Sequence, residues 1–199
     1  MATIHLNSSH RLLDDFNNIS IVLASVAISI QYLQSGSAIY NHGDYAALDG
    51  KCGESIRIPL HGPVQVAMTN QYPSYIDIVI EGNTGVQNVG QQRIAGLNNA
   101  IDGIISPYFV NFYEKHQSDA RNHFGTTYDI WPSEWRIGWV LRNAFAHDGK
   151  VHYRNLNTPS VIWRGITVSP ANQGEVVMRN IADVADLLIL LIDMDNVLP

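Results

Sequence analysis

The C-terminal segment, residues 180–195, is the feature that most restricts how this chain can fold. Apolar residues recur there at the spacing of a buried helix face, and further leucine and isoleucine residues fill the positions between them. Only a narrow acidic strip of Asp183, Asp186 and Asp193 interrupts the apolar surface. A helix that is apolar on nearly all sides must be buried on more than one face. We therefore expect this helix at the centre of the fold or at a subunit interface.

Three upstream segments also have the pattern of helices. Helical periodicity covers residues 10–34 and 90–118, with a bend expected in the second segment at Ser106-Pro107. A shorter helix is expected from about Pro132 to Gly149, because a proline suits a first turn and a glycine suits the position just after a helix. With 199 residues and 46% hydrophobic residues, one domain with a sizeable core is the expectation. The expected fold class is mainly α, a helical bundle forming a single domain over residues 1–199.

Two parts of the chain lack a helical pattern. Within residues 49–90, Gly, Pro, Asn and Gln separate short apolar runs such as 64–68 and 75–80, which fit either brief strands or helical turns. An irregular insertion within the one domain is therefore expected there. Residues 150–154 and 161–168 are β-branched and aromatic runs, and the turn-rich segment 155–160 separates them. This pattern predicts a small β-hairpin between the last two helices.

Positive charge is concentrated in one segment of an otherwise acidic chain. The chain has a net charge of −6, yet residues 135–164 contain five basic residues against one acidic residue, a net charge of +4. An anionic ligand is attracted to this segment and repelled elsewhere, which favours local capture of phosphate over a broad nucleic-acid surface. A solvated basic helix face is the alternative explanation. Arg136, Lys150 and Arg154 are the candidate substrate-binding residues of the segment.

The basic segment contains the group of residues with the most chemical potential, Arg142, Asn143 and His147. A guanidinium binds phosphate, an amide orients it by hydrogen bonding, and an imidazole accepts and donates protons near neutral pH. At about 100° per residue, Arg142 and His147 lie about 140° apart around one straight helix. One copy of the helix is therefore poorly suited to place both groups on one phosphate, whereas two copies across a two-fold axis can do so.

Arg142-Asn143 followed by His147, with four residues between the Arg and the His, resembles the signature of the HEPN superfamily of RNA-processing domains. The resemblance covers roughly residues 129–195. It implies a homodimer whose motifs share a cleft, and a metal-independent endoribonuclease without a cofactor that leaves 2′,3′-cyclic phosphate and 5′-OH ends. His147 is then the general base or acid, Arg142 stabilises charge on the phosphoryl oxygens, and Asn143 orients the phosphate or His147. Such domains often serve as toxins or anti-phage effectors, so the implied partners are RNA and an antitoxin or regulatory protein.

The chain departs from the family pattern at one position. HEPN toxins that a nucleotidyltransferase antitoxin controls often have a tyrosine two residues after the histidine, but Gly149 stands there and the nearest candidate is Tyr153. Control by that route is therefore in doubt. Two alternatives stay open: a non-catalytic HEPN module that binds RNA or a protein partner, and a helical interaction protein in which the Arg and His are structural.

The remaining candidates indicate less. His116, Asp119 and His123 share one helical face, but a fourth metal ligand is missing, so a solvated helix end is the better interpretation and no metal site is expected. Cys52 is the only cysteine, which excludes an internal disulfide and suits a reducing compartment. The densest apolar stretch of the first helix, residues 19–30, is too short to span a bilayer. Acidic residues stand where a signal peptide needs positive charge, so we expect a cytoplasmic protein without membrane contact.

Overall fold

A computed structural model describes residues 2–35, 43, 45–60, 73–82 and 95–199 of the chain. The chain divides into two compact units, one of residues 1–48 and 55–82, the other of residues 49–54 and 83–199. The expectation that residues 1–199 form one domain stays a prediction.

The first unit combines a sheet with one long helix. Strands β1 (Ala2–Asn7), β2 (Tyr45–Asp49), β3 (Glu54–Pro59) and β4 (Tyr75–Gly82) form an antiparallel sheet in the order β1-β4-β3-β2. Helix α1 (Leu13–Ser35) contacts β4. In β4 the buried isoleucines at 76, 78 and 80 alternate with more exposed residues, which is the two-residue period of a strand with one buried face.

The second unit is mainly helical. Helices α2 (Ala95–Phe124), α3 (Ser133–Phe145) and α4 (Val184–Asn196) all contact one another. Strands β5 (Val161–Trp163) and β6 (Ile166–Val168) form a two-stranded antiparallel sheet, and β5 packs on α3. Helix α2 continues through Pro107, where a bend was expected.

Helix α4 is the buried element that the sequence predicted. Every residue from Ala185 to Ile192 is buried, so the helix is covered on all sides within the chain. Of the two positions expected for it, the structure therefore supports the centre of a folded unit. Asp186, one of the three residues of the acidic strip, is only 1% exposed and is buried with the apolar residues of the helix.

The carboxylate of Asp186 accepts three backbone N–H groups. The N–H of Asp183 donates at 2.7 Å, which closes the first turn of α4, and the N–H groups of Lys51 and Cys52 donate at 2.8 and 2.9 Å. The turn of residues 49–54 approaches so closely that a Cβ on Gly50 would lie 2.5 Å from Asp186 Oδ1. A glycine is therefore required at position 50.

The expected fold class, a mainly α helical bundle, is wrong. The described residues contain four helices, a four-stranded antiparallel sheet and a two-stranded sheet, which is a mixture of α and β structure with the larger sheet before most of the helices. Residues 49–90, expected to be an irregular insertion, contain β3 and β4, while the apolar run 64–68 lies outside the described residues. The run 75–80, for which a brief strand and a helical turn were the two alternatives, is part of β4. The sheet itself was not expected, because the partner strand β1 lies about seventy residues away in sequence.

The expected hairpin is also placed differently. Residues 161–168 are two strands rather than one, joined at Arg164 and Gly165, which have φ angles of 43° and 81°. Two successive residues with positive φ form the tight turn that suits the twist of a hairpin. Residues 150–154 do not pair with this segment. Lys150 instead forms an isolated bridge with Val176.

We predict that Asp186→Ala lowers the free energy of unfolding by about 2–5 kcal/mol, because three buried N–H groups lose a charged acceptor. Asp186→Asn should cost less, since its carboxamide oxygen still accepts hydrogen bonds. Chemical denaturation followed by circular dichroism measures both variants. Asp129→Ala, at an exposed position, is the control and should change stability by less than about 0.5 kcal/mol. A loss for Asp186→Ala no larger than that of the control would contradict the prediction.

Candidate functional site

Helix α3 positions the first two residues of the motif. Ile137, Leu141 and Ala144 are buried with exposures of 0%, 1% and 0%, which confirms the core face expected from their spacing. Arg142 and Asn143 are half-buried beside this face. The indole N–H of Trp135, also on the buried side, donates to the Met194 carbonyl of α4 at 3.0 Å, so the helix is tied to the centre of the unit.

The guanidinium of Arg142 is already engaged by two neighbours. Its Nε and Nη2 both contact Oε1 of Glu114 on α2, and its Nη1 donates to Asn143 Oδ1 at 2.8 Å. The side chains of Arg142 and Glu114 remain 32% and 42% exposed, so the pair is open to solvent. Sequence reasoning missed Glu114, because it lies twenty-eight residues from Arg142 and only the packing of α2 against α3 brings the two together.

His147 lies beyond the end of the helix, in an ordered turn. Helix α3 ends at Phe145, and the N–H groups of His147 and Gly149 both donate to the Ala144 carbonyl at 2.9 Å. Asp148 and Gly149 have φ angles of 58° and 71°, which ends the helix and turns the chain away. The His147 side chain is exposed, and among the contacts of the described residues none joins it to Arg142. Within one chain the two motif residues are therefore separate.

The nearest ring to His147 belongs to a second histidine, His152. The two ring centroids are 5.5 Å apart, with the planes tilted by 52°, and both side chains are exposed. Backbone hydrogen bonds hold this region, because the Val151 N–H donates to the Glu175 carbonyl and the Val177 N–H donates to the Gly149 carbonyl. The sequence offered one signal for His152, namely its place in the same basic segment, but spacing alone does not bring the two rings together.

The three candidate substrate-binding residues have different surroundings. Arg136 is half-buried, its guanidinium carbon lies 5.8 Å from the centre of the Tyr128 ring, and its Nε is buried without a hydrogen-bond partner. Lys150 and Arg154 are exposed, and no salt bridge of the described residues involves either side chain. Of the three, Lys150 and Arg154 are the residues open to an anionic ligand.

A cavity of about 540 Å³ lies beside the motif, between α2 and the turn after α3. Its walls are mainly apolar and include Pro107, Val110 and Phe145, and the carboxylate of Asp102 lies at its edge. Arg179 donates to this carboxylate at 2.5 Å. Burial raises the pKa of Asp102, and the nearby Arg179 partly offsets that rise. Sequence reasoning did not anticipate this cavity.

Two minor candidates of the sequence are accounted for by local packing. His116 is 7% exposed, its Nδ1 lies 3.3 Å from Asp119 Oδ2, and its ring packs on Phe112, so it belongs to the core. In the described part of the chain, no group of three or more His, Cys, Asp or Glu side chains is arranged to hold a metal ion. Burial, together with the Asp186 carboxylate, raises the pKa of the Cys52 thiol to about 12. The thiol is therefore protonated at neutral pH and is a poor nucleophile.

Comparison of the chain with protein-family models, with curated proteins and with solved structures found no match. Among the described helices, none combines the length and the apolar character needed to cross a membrane.

We predict that Glu114→Gln strengthens the binding of a single-stranded oligodeoxynucleotide roughly 3- to 10-fold at low salt. The substitution removes the carboxylate that neutralises Arg142 while keeping a side chain of the same shape. Fluorescence anisotropy measures the affinity, and the gain should shrink as salt is added. Glu134→Gln makes the same change of charge in the first turn of α3, away from Arg142, and serves as the control. An equal gain in both variants, or no gain in either, would contradict the prediction.

Proposed function

We propose that this protein is a metal-independent endoribonuclease of the HEPN type that acts in the cytoplasm. The single observation that supports it best is the exposed imidazole of His147, held by an ordered turn directly after the helix that presents Arg142. Cleavage of RNA through its own 2′-OH needs a proton acceptor, a proton donor and a cation near the phosphate. The ring of a second histidine, His152, lies 5.5 Å from that of His147, so two imidazoles are available close together.

The proposed reaction begins when a base removes the proton of the ribose 2′-OH. The O2′–P bond forms, the P–O5′ bond breaks, and the leaving 5′ oxygen takes up a proton, which gives a 2′,3′-cyclic phosphate and a 5′-OH end. His147 is the general base or acid of these proton transfers. Arg142 stabilises the charge that builds on the phosphoryl oxygens, and Asn143 holds the guanidinium through its Nη1 hydrogen bond at 2.8 Å.

We further propose that two copies of the chain complete the site. Arg142 and His147 make no contact within one chain, and a two-fold axis beside α3 would let the arginine of one copy face the histidine of the other. The apolar surface of α4 does not contribute to this argument, because it is covered within the chain. RNA is the proposed substrate, and an antitoxin or regulatory protein remains a proposed partner that rests on the resemblance alone.

A non-catalytic module that binds RNA or a protein partner is the second candidate function. One observation favours it: the guanidinium of Arg142 is paired with Glu114 rather than with the histidine of its own motif. A guanidinium that is already paired with a carboxylate suits a residue that shapes the helix surface for binding as well as it suits a catalytic residue. The following two predictions separate the candidates.

We predict that purified protein cleaves single-stranded RNA in excess EDTA and leaves cyclic phosphate and 5′-OH ends. The reason is that the proposed proton transfers and charge stabilisation use only side chains of the protein. Gel analysis shows the cleavage. The new 5′-OH ends should resist an exonuclease that requires a 5′-phosphate, and a polynucleotide kinase should label them. Cleavage that stops with EDTA and returns with Mg²⁺ or Mn²⁺ would require a different mechanism.

We predict that His147→Ala lowers the cleavage rate by about 10²- to 10⁴-fold, the usual contribution of a positioned acid or base. Arg142→Ala should be comparably damaging, and Arg142→Lys should restore activity only in part, because an ammonium lacks the planar fork of a guanidinium. His123→Ala is the control, since this exposed histidine lies at the end of α2 and outside the motif. Melting temperatures should stay close to wild type in all four variants. An unfolded His147→Ala, or one that cleaves RNA normally, would favour the non-catalytic module.

A further inference from the structure

Gln173 determines which ring nitrogen of His152 carries the proton of the neutral imidazole. Its Oε1 accepts the Tyr153 N–H at 2.7 Å, so its amide nitrogen faces the other way and lies 3.2 Å from His152 Nδ1. An amide nitrogen only donates hydrogen bonds, so His152 Nδ1 must accept. The proton of the neutral imidazole is therefore on Nε2.

Hydrogen bonds hold the backbone on both sides of Gln173, and this fixes the position from which its side chain reaches His152. Gln173 follows a short 3₁₀ turn, Pro170–Asn172, whose start is capped by Ser169 and Asn172 in a reciprocal pair of hydrogen bonds. On its other side, the N–H of Gly174 donates to the Val151 carbonyl at 2.9 Å. Hydrogen bonds thus hold the chain on both sides of Gln173.

We propose that His152 is a second functional imidazole, whose Nε2–H donates a hydrogen bond to a phosphodiester oxygen while His147 transfers protons. The amide N–H of Gln173 occupies Nδ1 of the ring, which leaves the Nε2–H for a ligand. The ring centroids of His147 and His152 are 5.5 Å apart and both side chains are exposed, so the donor lies beside the ring that transfers protons. This inference rests on the proposed endoribonuclease function and names the ligand of the same site as a phosphodiester.

The first test compares two isosteric substitutions of His152. Glutamine places its amide nitrogen close to the position of Nε2, whereas asparagine places it close to the position of Nδ1. His152→Gln should keep most of the cleavage rate, because it keeps the donor. His152→Asn and His152→Ala should lose roughly 10- to 100-fold, the value of a hydrogen bond to a charged group. The matched control is His147→Gln, which should be as inactive as His147→Ala because an amide cannot accept the proton.

Two outcomes of this comparison overturn the inference. If His152→Gln is as slow as His152→Ala, His152 transfers a proton itself. If all three variants cleave at the wild-type rate, the ring is not part of the site. In both cases the proposed function stands as long as the wild-type protein cleaves RNA and His147→Ala does not. A wild-type protein without cleavage activity would instead refute the proposed function.

The second test does not depend on activity. Nitrogen NMR of the His152 ring, at mildly alkaline pH, should show the proton on Nε2, and titration with inorganic phosphate should shift the Nε2 signal. In Gln173→Glu, a carboxylate accepts both the Tyr153 N–H and a proton on Nδ1, so the proton of the neutral ring should move from Nε2 to Nδ1. A proton on Nδ1 in the wild-type protein, or an Nε2 signal that phosphate leaves unchanged, would overturn the inference.

Discussion

The second unit depends on one buried carboxylate. Asp186 accepts the N–H of Asp183 at the first turn of its own helix and two further N–H groups from the turn of residues 49–54. A negative charge is favourable at a helix N-terminus, and three donors replace the water that burial removes. Near the other end of α4, the Met194 carbonyl accepts the indole N–H of Trp135 on α3. The orientation of α3, and with it the direction in which the motif faces, follows from this connection.

The elements that could be predicted from sequence are those whose pattern is local. The all-round apolar α4 and the buried face of α3 are confirmed, because residues three or four apart on a helix reveal their common face without knowledge of any partner. The larger sheet was missed because strands β1 and β4 are stabilised by pairing across about seventy residues, from Ala2 opposite Ile80 to Asn7 opposite Tyr75. Buried isoleucines alternate with more exposed residues in β4, and again at Ile56 and Ile58 of β3, but strands of eight and six residues are a weak pattern.

The same division applies to the candidate site. Arg142, Asn143 and His147 could be identified because their types and spacing are a property of one short segment. Their neighbours could not, since Glu114 of α2 contacts Arg142, and Gln173 of the loop after β6 contacts His152 beside His147, only through tertiary packing. His147 is an intermediate case. The helix was expected to run to about Gly149 but ends at Phe145, and Asp148 and Gly149 have positive φ angles, so the imidazole lies in the turn after the helix rather than on the helix itself.

Part of the positive charge that the sequence shows in segment 135–164 is paired with carboxylates in the structure. The segment 135–164 has a net charge of +4, but Glu114 neutralises Arg142, and Asp193 and Glu54 neutralise Arg164. An ion pair as exposed as Arg142–Glu114 is weak, because water and salt compete for both partners. A phosphate offers the guanidinium the same geometry as a carboxylate, so the exchange of Glu114 for a phosphodiester costs little. Until that exchange, Glu114 and Asn143 hold the arginine in one orientation. In the proposed function, Glu114 therefore competes only weakly with phosphate for Arg142, and the pairing is compatible with a catalytic role of the guanidinium.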